Sequence, residues 1–223
     1  MGGRGSEAGK NPFSVSFLSF LGQHLFRLYG TFTKFYRNLT FNLTPRLRLV
    51  NSPKDNLLII GAGQYGLVAR EIALDMGCFS EISFLDDSYP TQNPAVIGTS
   101  RDLEKFAAQY RFGFVAIGNP EVRRRLVESL VSCGVTPATL VHPTAYVSPS
   151  AKLEPGCCVE PLAVVQTDAA LGTATFVASG AVVRHNATVG DYCHIDCNAV
   201  IQTGAVVPAA TKVACNSIFN KAQ

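Results

Sequence analysis

Aliphatic residues recur at every sixth position along the C-terminal part of the chain. The run holds thirteen such positions without a break, from Val147 to Phe219, and a small residue stands two positions before each of them. A double register of this kind is typical of a parallel β-helix, in which each hexad forms one flat face of a triangular prism with the aliphatic side chain inside. Three hexads make one coil, and coils stack at about 4.8 Å. The pattern therefore predicts a left-handed β-helix over residues 143–223.

A different pattern, in which strands and helices alternate, covers residues 53–142. The run Leu57–Ile60 is continuously apolar, as in a buried parallel strand, and leads through a glycine-rich loop into a helical pattern that ends at Gly77. The predicted strands are Leu57–Ile60, Ile82–Leu85, Phe112–Ile117 and Ala138–Val141, the last of which is expected to close the unit. This order predicts a small Rossmann-like parallel α/β domain.

Residues 1–52 are predicted to form a basic amphipathic extension. They carry seven Lys and Arg against one acidic residue, Glu7, whereas the remaining chain is near neutral. Between Leu18 and Leu39 the hydrophobic residues step by three and four, which predicts a helix that ends before Pro45. Such a helix packs on the protein's own body or on sister subunits, or it rests on an anionic membrane. The sequence leaves both interpretations open.

Composition excludes several classes of protein. Hydrophobic residues make up 47% of the 223 positions and charged residues 16%, which suffices for a core and excludes wholesale disorder. The near-neutral body lacks the clustered basic face that nucleic-acid binding requires. No apolar run reaches the roughly 18–20 residues of a membrane span, and no signal-peptide cleavage site is evident. We therefore expect a cytoplasmic protein, with the inner face of the membrane as a candidate contact of the extension.

The seven cysteines stand among Val, Ala and Ile, and none forms a C-x-x-C pair. Zinc ribbons and thioredoxin-type redox sites use that spacing. We therefore expect the cysteines to be small buried hydrophobic side chains in a reducing compartment, and we expect no metal.

The glycine-rich loop after the first strand, Gly61-x-Gly63-x-x-Gly66, is a candidate phosphate-binding site. Glycines allow backbone N–H groups to approach a pyrophosphate, and the following helix N-terminus adds a favourable dipole. Asp86 ends the next strand, where an acid can bind a ribose hydroxyl. The ligand is either a nicotinamide dinucleotide or a nucleoside-diphosphate sugar. The short length of the domain favours the sugar.

The repeat region contains two histidines, His185 and His194, as candidates for chemistry. His185 follows the inward Val183 by two positions, which predicts a corner of the prism, and His194 precedes the inward Ile195, so that it points outward. If prisms pack side by side as trimers, outward groups line the clefts between subunits. A neutral imidazole there is a suitable general base near neutral pH.

The stretches GAGQYG, HPTAYVSPSA and GAVVRHNATVGDYCHI, within about residues 56–219, resemble the sugar O-acyltransferase family. This family includes the sialic acid O-acetyltransferases and the UDP-4-amino-sugar N-acetyltransferases of bacterial glycan pathways. The resemblance implies a homotrimer with acetyl-CoA in the cleft between prisms and a nucleotide-linked sugar on the α/β domain. It implies that His185 removes a proton from the sugar amine or hydroxyl as that group attacks the thioester, and that His194 lies near the acetyl-CoA.

The resemblance assigns a set of site residues, with no metal among them. Together with Gly61 and Asp86 from the glycine-loop argument, the candidates are Gly63, Gln64, Tyr65, Asn119 and Arg123 for the substrate, His185 and Asn186 for catalysis, and His194, Thr203 and Gly204 for the coenzyme.

Four departures from the family pattern bear on activity. Asn186 stands where the family usually has Asp or Glu, Tyr65 where it has His, and Thr203 where it has Gly. Relatives also usually continue for one or two coils beyond the position of Gln223. These departures keep a second hypothesis open, in which the chain is a non-catalytic trimeric scaffold that binds nucleotide-sugars. A third hypothesis is a dinucleotide-dependent oxidoreductase.

Overall fold

The computed structural model describes residues 55–220, so the predicted basic extension lies outside the described residues. The first part of the described chain contains a five-stranded parallel sheet with the strand order β3-β2-β1-β4-β5. Its elements are β1 (Leu57–Ile60), α1 (Gln64–Met76), β2 (Ile82–Leu85), β3 (Val96–Gly98), a 3₁₀ turn (Ser100–Asp102), α2 (Leu103–Phe106), a second 3₁₀ turn (Ala107–Gln109), β4 (Phe112–Val115), α3 (Pro120–Ser132) and β5 (Thr136–Pro137). This confirms the Rossmann-like class of the predicted unit.

The central strands are buried on both faces, as their unbroken apolar sequence predicts. All four residues of β1 are at most 1% exposed, and they divide between two cores on opposite faces of the sheet. Helix α1 ends at Gly77, which adopts the left-handed conformation with φ 63°. Glycine carries no Cβ penalty there, which explains the predicted stop. None of the helices between residues 55 and 220 has the length and apolar character that a bilayer span requires.

Fourteen strands of two residues each build the second part as a parallel β-helix. They are β6 (Leu140–Val141), β7 (Tyr146–Val147), β8 (Lys152–Leu153), β9 (Cys158–Val159), β10 (Val164–Val165), β11 (Ala170–Leu171), β12 (Phe176–Val177), β13 (Val182–Val183), β14 (Thr188–Val189), β15 (His194–Ile195), β16 (Val200–Ile201), β17 (Val206–Val207), β18 (Lys212–Val213) and β19 (Ile218–Phe219). Every third strand pairs, which gives three faces: face A (β6, β9, β12, β15, β18), face B (β7, β10, β13, β16, β19) and face C (β8, β11, β14, β17). The predicted inward residues and most of the small residues before them form one continuous core. Thr175 is also buried, whereas Thr211 and Ser217 are partly exposed.

The prism begins one strand earlier than the sequence pattern suggested. Leu140–Val141 was expected to close the α/β sheet, but it pairs with β9 as the first strand of face A. The reason is that Val141 stands six residues before Val147 and so continues the inward register. The α/β sheet ends instead at β5, and it contains β3, a strand that the sequence analysis missed.

The corners of the prism all share one backbone conformation. Every sixth residue adopts a positive φ between 50° and 80°, at positions 156, 162, 168, 174, 180, 186, 192, 198, 204, 210 and 216. Three of these positions are Gly and three are Asn, residue types that tolerate the left-handed region. Asn186 is therefore a corner residue by conformation, whatever else its side chain does.

Arg123 joins the α/β part to the prism. It is fully buried, and its guanidinium donates to the carbonyls of Ile117 and Gly118 after β4 and to those of Ala174, Tyr192 and Cys193 in the prism. The guanidinium also lies 4.1 Å from the ring centroid of Phe176. Burial lowers the pKa of Arg123, although nearby polar groups oppose the shift. The structure thus corrects the expectation that Arg123 contacts substrate, because its hydrogen-bond donors face backbone carbonyls inside the protein.

We expect Arg123→Lys to lower the free energy of unfolding by about 2–4 kcal/mol. A lysine ammonium cannot reach carbonyls on both sides of the junction, and a buried carbonyl left without a donor costs about 1–3 kcal/mol. Urea denaturation measures the change. Arg125→Lys, on the exposed side of the same helix, is the matched control and should change stability by less than about 0.5 kcal/mol. Equal stability of the two variants would contradict the junction role.

Candidate active site

His185 lies at the corner between β13 and β14, immediately before the left-handed Asn186. Its Nδ1 lies 3.1 Å from Asn186 Nδ2, and its Nε2 lies 3.2 Å from Thr203 Oγ1. Its backbone N–H donates to Gln166 Oε1 at 3.1 Å. Both ring nitrogens therefore have polar neighbours, and the half-buried imidazole is held in one orientation.

Stacking of coils brings four of the sequence-predicted residues together. Thr203 stands eighteen residues after His185, one coil further along the prism, and Gly204 N–H donates to the carbonyl of His185 at 3.2 Å. Asn186 N–H donates to the carbonyl of Thr167 on the preceding coil at 3.0 Å. The structure thus gathers His185, Asn186, Thr203 and Gly204 at one corner.

An open cavity of about 370 Å³ adjoins this corner. It is lined by Tyr146, Gln166, Thr167, His185 and Asn186. The sequence analysis did not single out Tyr146, Gln166 or Thr167. For Gln166 and Thr167 a signal existed, because subtracting one coil of eighteen residues from His185 gives Thr167, the residue that must stack beneath it.

The Asn186 amide decides which imidazole nitrogen is free to accept a proton. When its NH₂ group donates to Nδ1, the ring proton resides on Nε2 and points at Thr203. Rotation of the amide by 180° presents Oδ1 to Nδ1, which then carries the proton and leaves Nε2 as the acceptor. The second arrangement is the one a general base at Nε2 requires, and Asn186 can supply it without moving the backbone.

The glycine loop lies at the carboxyl end of β1, and two of its glycines are required by close contacts. A Cβ on Gly61 would lie 2.8 Å from Ile117 Cδ1, and one on Gly66 would lie 2.0 Å from the carbonyl oxygen of Gly61. Gly63 is the N-cap of α1 and has no side-chain cap, and both Gly63 and Gln64 are exposed. The loop therefore presents an open helix N-terminus, as the predicted phosphate site requires.

Asp86 supports this loop from the end of β2. Its Oδ2 accepts a hydrogen bond from Ala62 N–H at 2.6 Å, and its Oδ1 accepts from the backbone N–H of Ser88 at 2.9 Å and from the Ser88 hydroxyl. Partial burial disfavours the charged carboxylate, but these hydrogen bonds outweigh it and lower the pKa of Asp86. Asp86 thus has a loop-bracing role in addition to the ribose contact that the sequence predicted.

Tyr65 turns away from the open end of the loop. Its ring stacks on Phe176 of the prism with centroids 4.7 Å apart. Its hydroxyl is buried near Cys158 and Glu160, and among the residues that the structure describes it has no hydrogen-bond partner. Burial raises the pKa of Tyr65 well above its ordinary value, and Cys158 and Glu160 add to the shift. The phenol is therefore neutral and lies at the junction of the α/β part and face A.

His194 lies beside Tyr65, not beside His185. It projects outward from β15, as predicted, but face A is covered by the α/β part, and its ring centroid lies 6.1 Å from that of Tyr65 and 5.9 Å from that of Phe176. Burial lowers the pKa of His194, and although Asp196 opposes the shift, the imidazole is neutral at neutral pH. Within one chain the two histidines therefore lie on different sides of the prism, His194 on face A and His185 at the corner between faces B and C.

Asn119 begins helix α3 at the carboxyl end of β4. Its Oδ1 accepts from the backbone N–H groups of Glu121 and Val122, each at 3.0 Å, and the residue is exposed. Because β2, β1 and β4 are neighbours in the sheet, Asp86, the glycine loop and Asn119 share one edge. This edge is where ligands bind in open α/β sheets.

Nine of the twelve sequence-predicted residues thus separate into two clusters, while Tyr65, Arg123 and His194 lie where the α/β part meets the prism. The sheet-edge cluster contains Gly61, Gly63, Gln64, Asp86 and Asn119, and the corner cluster contains His185, Asn186, Thr203 and Gly204. Face A and the α/β part cover each other, whereas His185 stands at the corner between the other two faces. In a triangular prism that corner lies opposite the covered face.

Comparison with known proteins agrees with this two-part architecture. The PglD N-terminal domain family matches residues 56–130. The acetyltransferase domain of PglB from Neisseria gonorrhoeae is 32% identical, with a TM-score of 0.63, and the match covers 74% of this chain and 88% of that one. The structure of the same domain in complex with acetyl coenzyme A matches at 32% identity and a TM-score of 0.61, over 75% of this chain and 89% of that one.

PerB from Caulobacter crescentus, solved in complex with CoA and GDP-perosamine, shares the fold. It is 23% identical, with a TM-score of 0.62, over 75% of this chain and 91% of that one. Together these matches confirm the predicted fold class, a Rossmann-like domain followed by a left-handed β-helix.

Proposed function

Because this chain belongs to the hexapeptide-repeat sugar acetyltransferases, we propose that it transfers the acetyl group of acetyl-CoA to an amino or hydroxyl group of a nucleotide-linked sugar in bacterial glycan biosynthesis. The observation that carries the proposal is His185, oriented by Asn186 and Thr203 at the edge of an open cavity. The 32% identity to a PglB domain solved with acetyl coenzyme A supports the donor. The PerB complex, with CoA and GDP-perosamine, supports a nucleotide-linked acceptor.

The residues divide the work between two regions. Residues 53–142 hold the sugar nucleotide, with the exposed N-terminus of α1 facing the diphosphate and Asp86 and Asn119 beside it on the sheet edge. Residues 143–223 carry the transfer. Nε2 of His185 accepts the proton of the sugar amine or hydroxyl while that group attacks the thioester carbon, and CoA leaves as the thiol. Thr203 and Gly204, one coil further along, line the path of the acetyl donor.

The proposed enzyme works as a homotrimer. The outward residues of face B form an apolar column of Tyr146, Val164, Val182, Val200 and Ile218, of which Tyr146 is 56% and Ile218 61% exposed. Face A is covered by the α/β part, and the outward column of face C includes Lys152 and Thr188. Since Tyr146 also lines the His185 cavity, a partner seated on face B lies next to the base.

The positions of the two clusters explain why the proposed reaction needs more than one subunit. Within one chain His185 lies on the corner opposite the face that carries the sugar-binding part, so one chain does not present its own sugar to its own base. A second copy packed on face B brings its α/β part toward that corner. The site is then completed between subunits, which agrees with the cleft that the sequence analysis expected.

We expect His185→Ala to lower kcat by about 10²–10⁴-fold with an unchanged circular-dichroism spectrum, because the lost group accepts the proton while the half-buried corner side chain contributes little to the core. Thiol release from acetyl-CoA, over a panel of nucleotide-linked amino sugars, measures the rate. His142→Ala is the matched control, since that imidazole is hydrogen-bonded to Thr144 and Asp75 away from the corner.

Near-full activity of His185→Ala would show that the base is another group. Wild-type protein that gains thermal stability with a nucleotide-sugar but never releases thiol would instead favour the non-catalytic scaffold.

We expect Asn186→Asp to move the acidic limb of the pH–rate profile to higher pH by about one unit. A carboxylate at Nδ1 stabilises the imidazolium, so a higher pH is needed to free the base. The substitution suits the backbone, because Asp168 occupies the equivalent left-handed corner one coil earlier with φ 56°. The measurement is kcat/KM against pH.

Asn186→Gly is the control for orientation, since Gly204 has φ 64° at the same corner one coil later. It should lower the rate less than the loss of His185 and leave the position of the limb in place. An unchanged limb in Asn186→Asp would mean that residue 186 does not partner the base.

We expect the full chain to run at about three times its 23.9 kDa mass in light scattering, and the double variant Val182→Glu, Val200→Glu to run as a monomer without thiol release. Charges buried at an apolar interface without partners are strongly unfavourable. The control is Thr188→Glu on face C, which should stay trimeric. A trimer that survives the double variant would place the interface elsewhere, and a monomeric wild type would contradict the assembly.

A further inference from the structure

Two cysteines that are distant in sequence lie on top of each other at one corner of the prism. Cys197 follows β15 and Cys215 follows β18, and their separation of eighteen residues is one coil. The backbone N–H of Asn216 donates to the carbonyl of Cys197 at 3.0 Å, which fixes the two corner turns in register. The equivalent residues of the two preceding coils are Ser179 and Pro161.

The Asp196 carboxylate completes a cluster of three metal-ligating groups. One carboxylate oxygen of Asp196 and the Sγ atoms of Cys197 and Cys215 all lie within 4.8 Å of one another, and no other such group is found among residues 55–220. A tetrahedral ion with Zn–S bonds of about 2.3 Å separates its sulfur ligands by about 3.8 Å. Small side-chain rotations therefore convert the cluster into three corners of a tetrahedron.

Charges around the cluster suit a divalent cation. Two thiolates, one carboxylate and a divalent ion leave a net charge of −1. The Lys212 ammonium, 3.2 Å from Asp196 Oδ2, supplies the balancing charge, and its 65% exposed side chain is free to move as an ion enters.

The Asp196 carboxylate is also pre-oriented for this role. Its Oδ1 accepts the backbone N–H of Cys197 at 2.9 Å and its Oδ2 lies 3.2 Å from the Lys212 ammonium, so the carboxylate is held in one orientation over the turn. Such outer hydrogen bonds fix the direction of a ligand.

We propose that Asp196, Cys197 and Cys215 form a three-ligand site for a thiophilic divalent cation of the Zn²⁺ class, which fastens the last coil of the prism to the coil before it. Thiolate ligands select such ions over Mg²⁺ and Ca²⁺. Binding releases the two thiol protons to solvent, and water occupies the fourth position on the side of the exposed Cys215. The expectation that all the cysteines are buried hydrophobic residues holds for Cys157, Cys158 and Cys193 and is wrong for Cys215.

The test is anaerobic titration of the reduced full chain with Co²⁺ as a spectroscopic probe. We expect one Co²⁺ per chain, thiolate-to-cobalt charge transfer in the near ultraviolet, an intense tetrahedral visible band, and displacement of both by Zn²⁺. Cys197→Ser and Cys215→Ser should each weaken binding by more than about tenfold, as should Asp196→Asn. The matched control is Cys133→Ser, a half-exposed free cysteine directly after helix α3, which should leave the titration unchanged.

A second readout covers variants that fold poorly. Zn²⁺ at 100 times its dissociation constant stabilises a folded protein by about 2.7 kcal/mol, so the wild type and Cys133→Ser should gain a higher Tm, and Asp196→Asn should gain clearly less. Absence of charge transfer in the wild type, or its persistence in Cys197→Ser and Cys215→Ser, would overturn the proposal. A Cys197–Cys215 disulfide in oxidised protein, with no metal binding after reduction, would also overturn it and identify the pair as a redox pair.

Discussion

The eighteen-residue coil is the constraint on which the rest of the prism depends. Backbone hydrogen bonds between coils enforce it, as in Val164 N–H to Ala181 carbonyl at 2.8 Å and Val182 N–H to Ala199 carbonyl at 2.8 Å. Once these ladders are set, residues eighteen apart are neighbours in space although they are unrelated in sequence. Thr203 meets His185 for this reason, and Cys215 meets Cys197. Side chains that act together in the prism are therefore found eighteen positions apart in the sequence, one above the other on successive coils.

A second constraint acts at the corners, where every sixth residue adopts a left-handed conformation. For most residues this conformation is costly, by roughly 1–2 kcal/mol, while Gly, Asn and Asp tolerate it. Residue 186 must meet this backbone requirement and orient an imidazole at the same time. Asn and Asp are suited to both, since they tolerate the left-handed region and carry a short polar side chain, whereas glycine has no side chain with which to do the second. Asn186 in place of the family's acidic residue thus has little effect on the fold. In the proposed mechanism its main effect is to remove a negative charge next to the His185 imidazole.

How much the sequence could predict follows from the range of the interactions involved. The inward aliphatic residues from Val147 to Phe219 and the buried strand β1 are encoded by local patterns, so they were predicted correctly. Arg123 was misassigned because its carbonyl partners lie as far as seventy residues away along the chain, and no local pattern reports them. His194 projects outward, as its place before Ile195 predicts, but no local pattern reports that the α/β part covers face A, on which it lies. Gln166 and Thr167 could have been found by counting back one coil from His185.

The coverage of the three faces links the fold to the proposed mechanism. Face A is covered by the α/β part. Its attachment depends on the buried guanidinium of Arg123 and on the stacking of that group on Phe176. That attachment holds the edge of the sheet with Asp86, the glycine loop and Asn119 on one side of the prism, and His185 stands on the opposite corner. In the proposed mechanism the acceptor therefore reaches Nε2 from a neighbouring copy. The apolar column of face B, next to the His185 cavity, is the surface on which that copy would dock. Under this proposal an isolated chain folds and presents its sheet edge, but it lacks the arrangement that transfer requires.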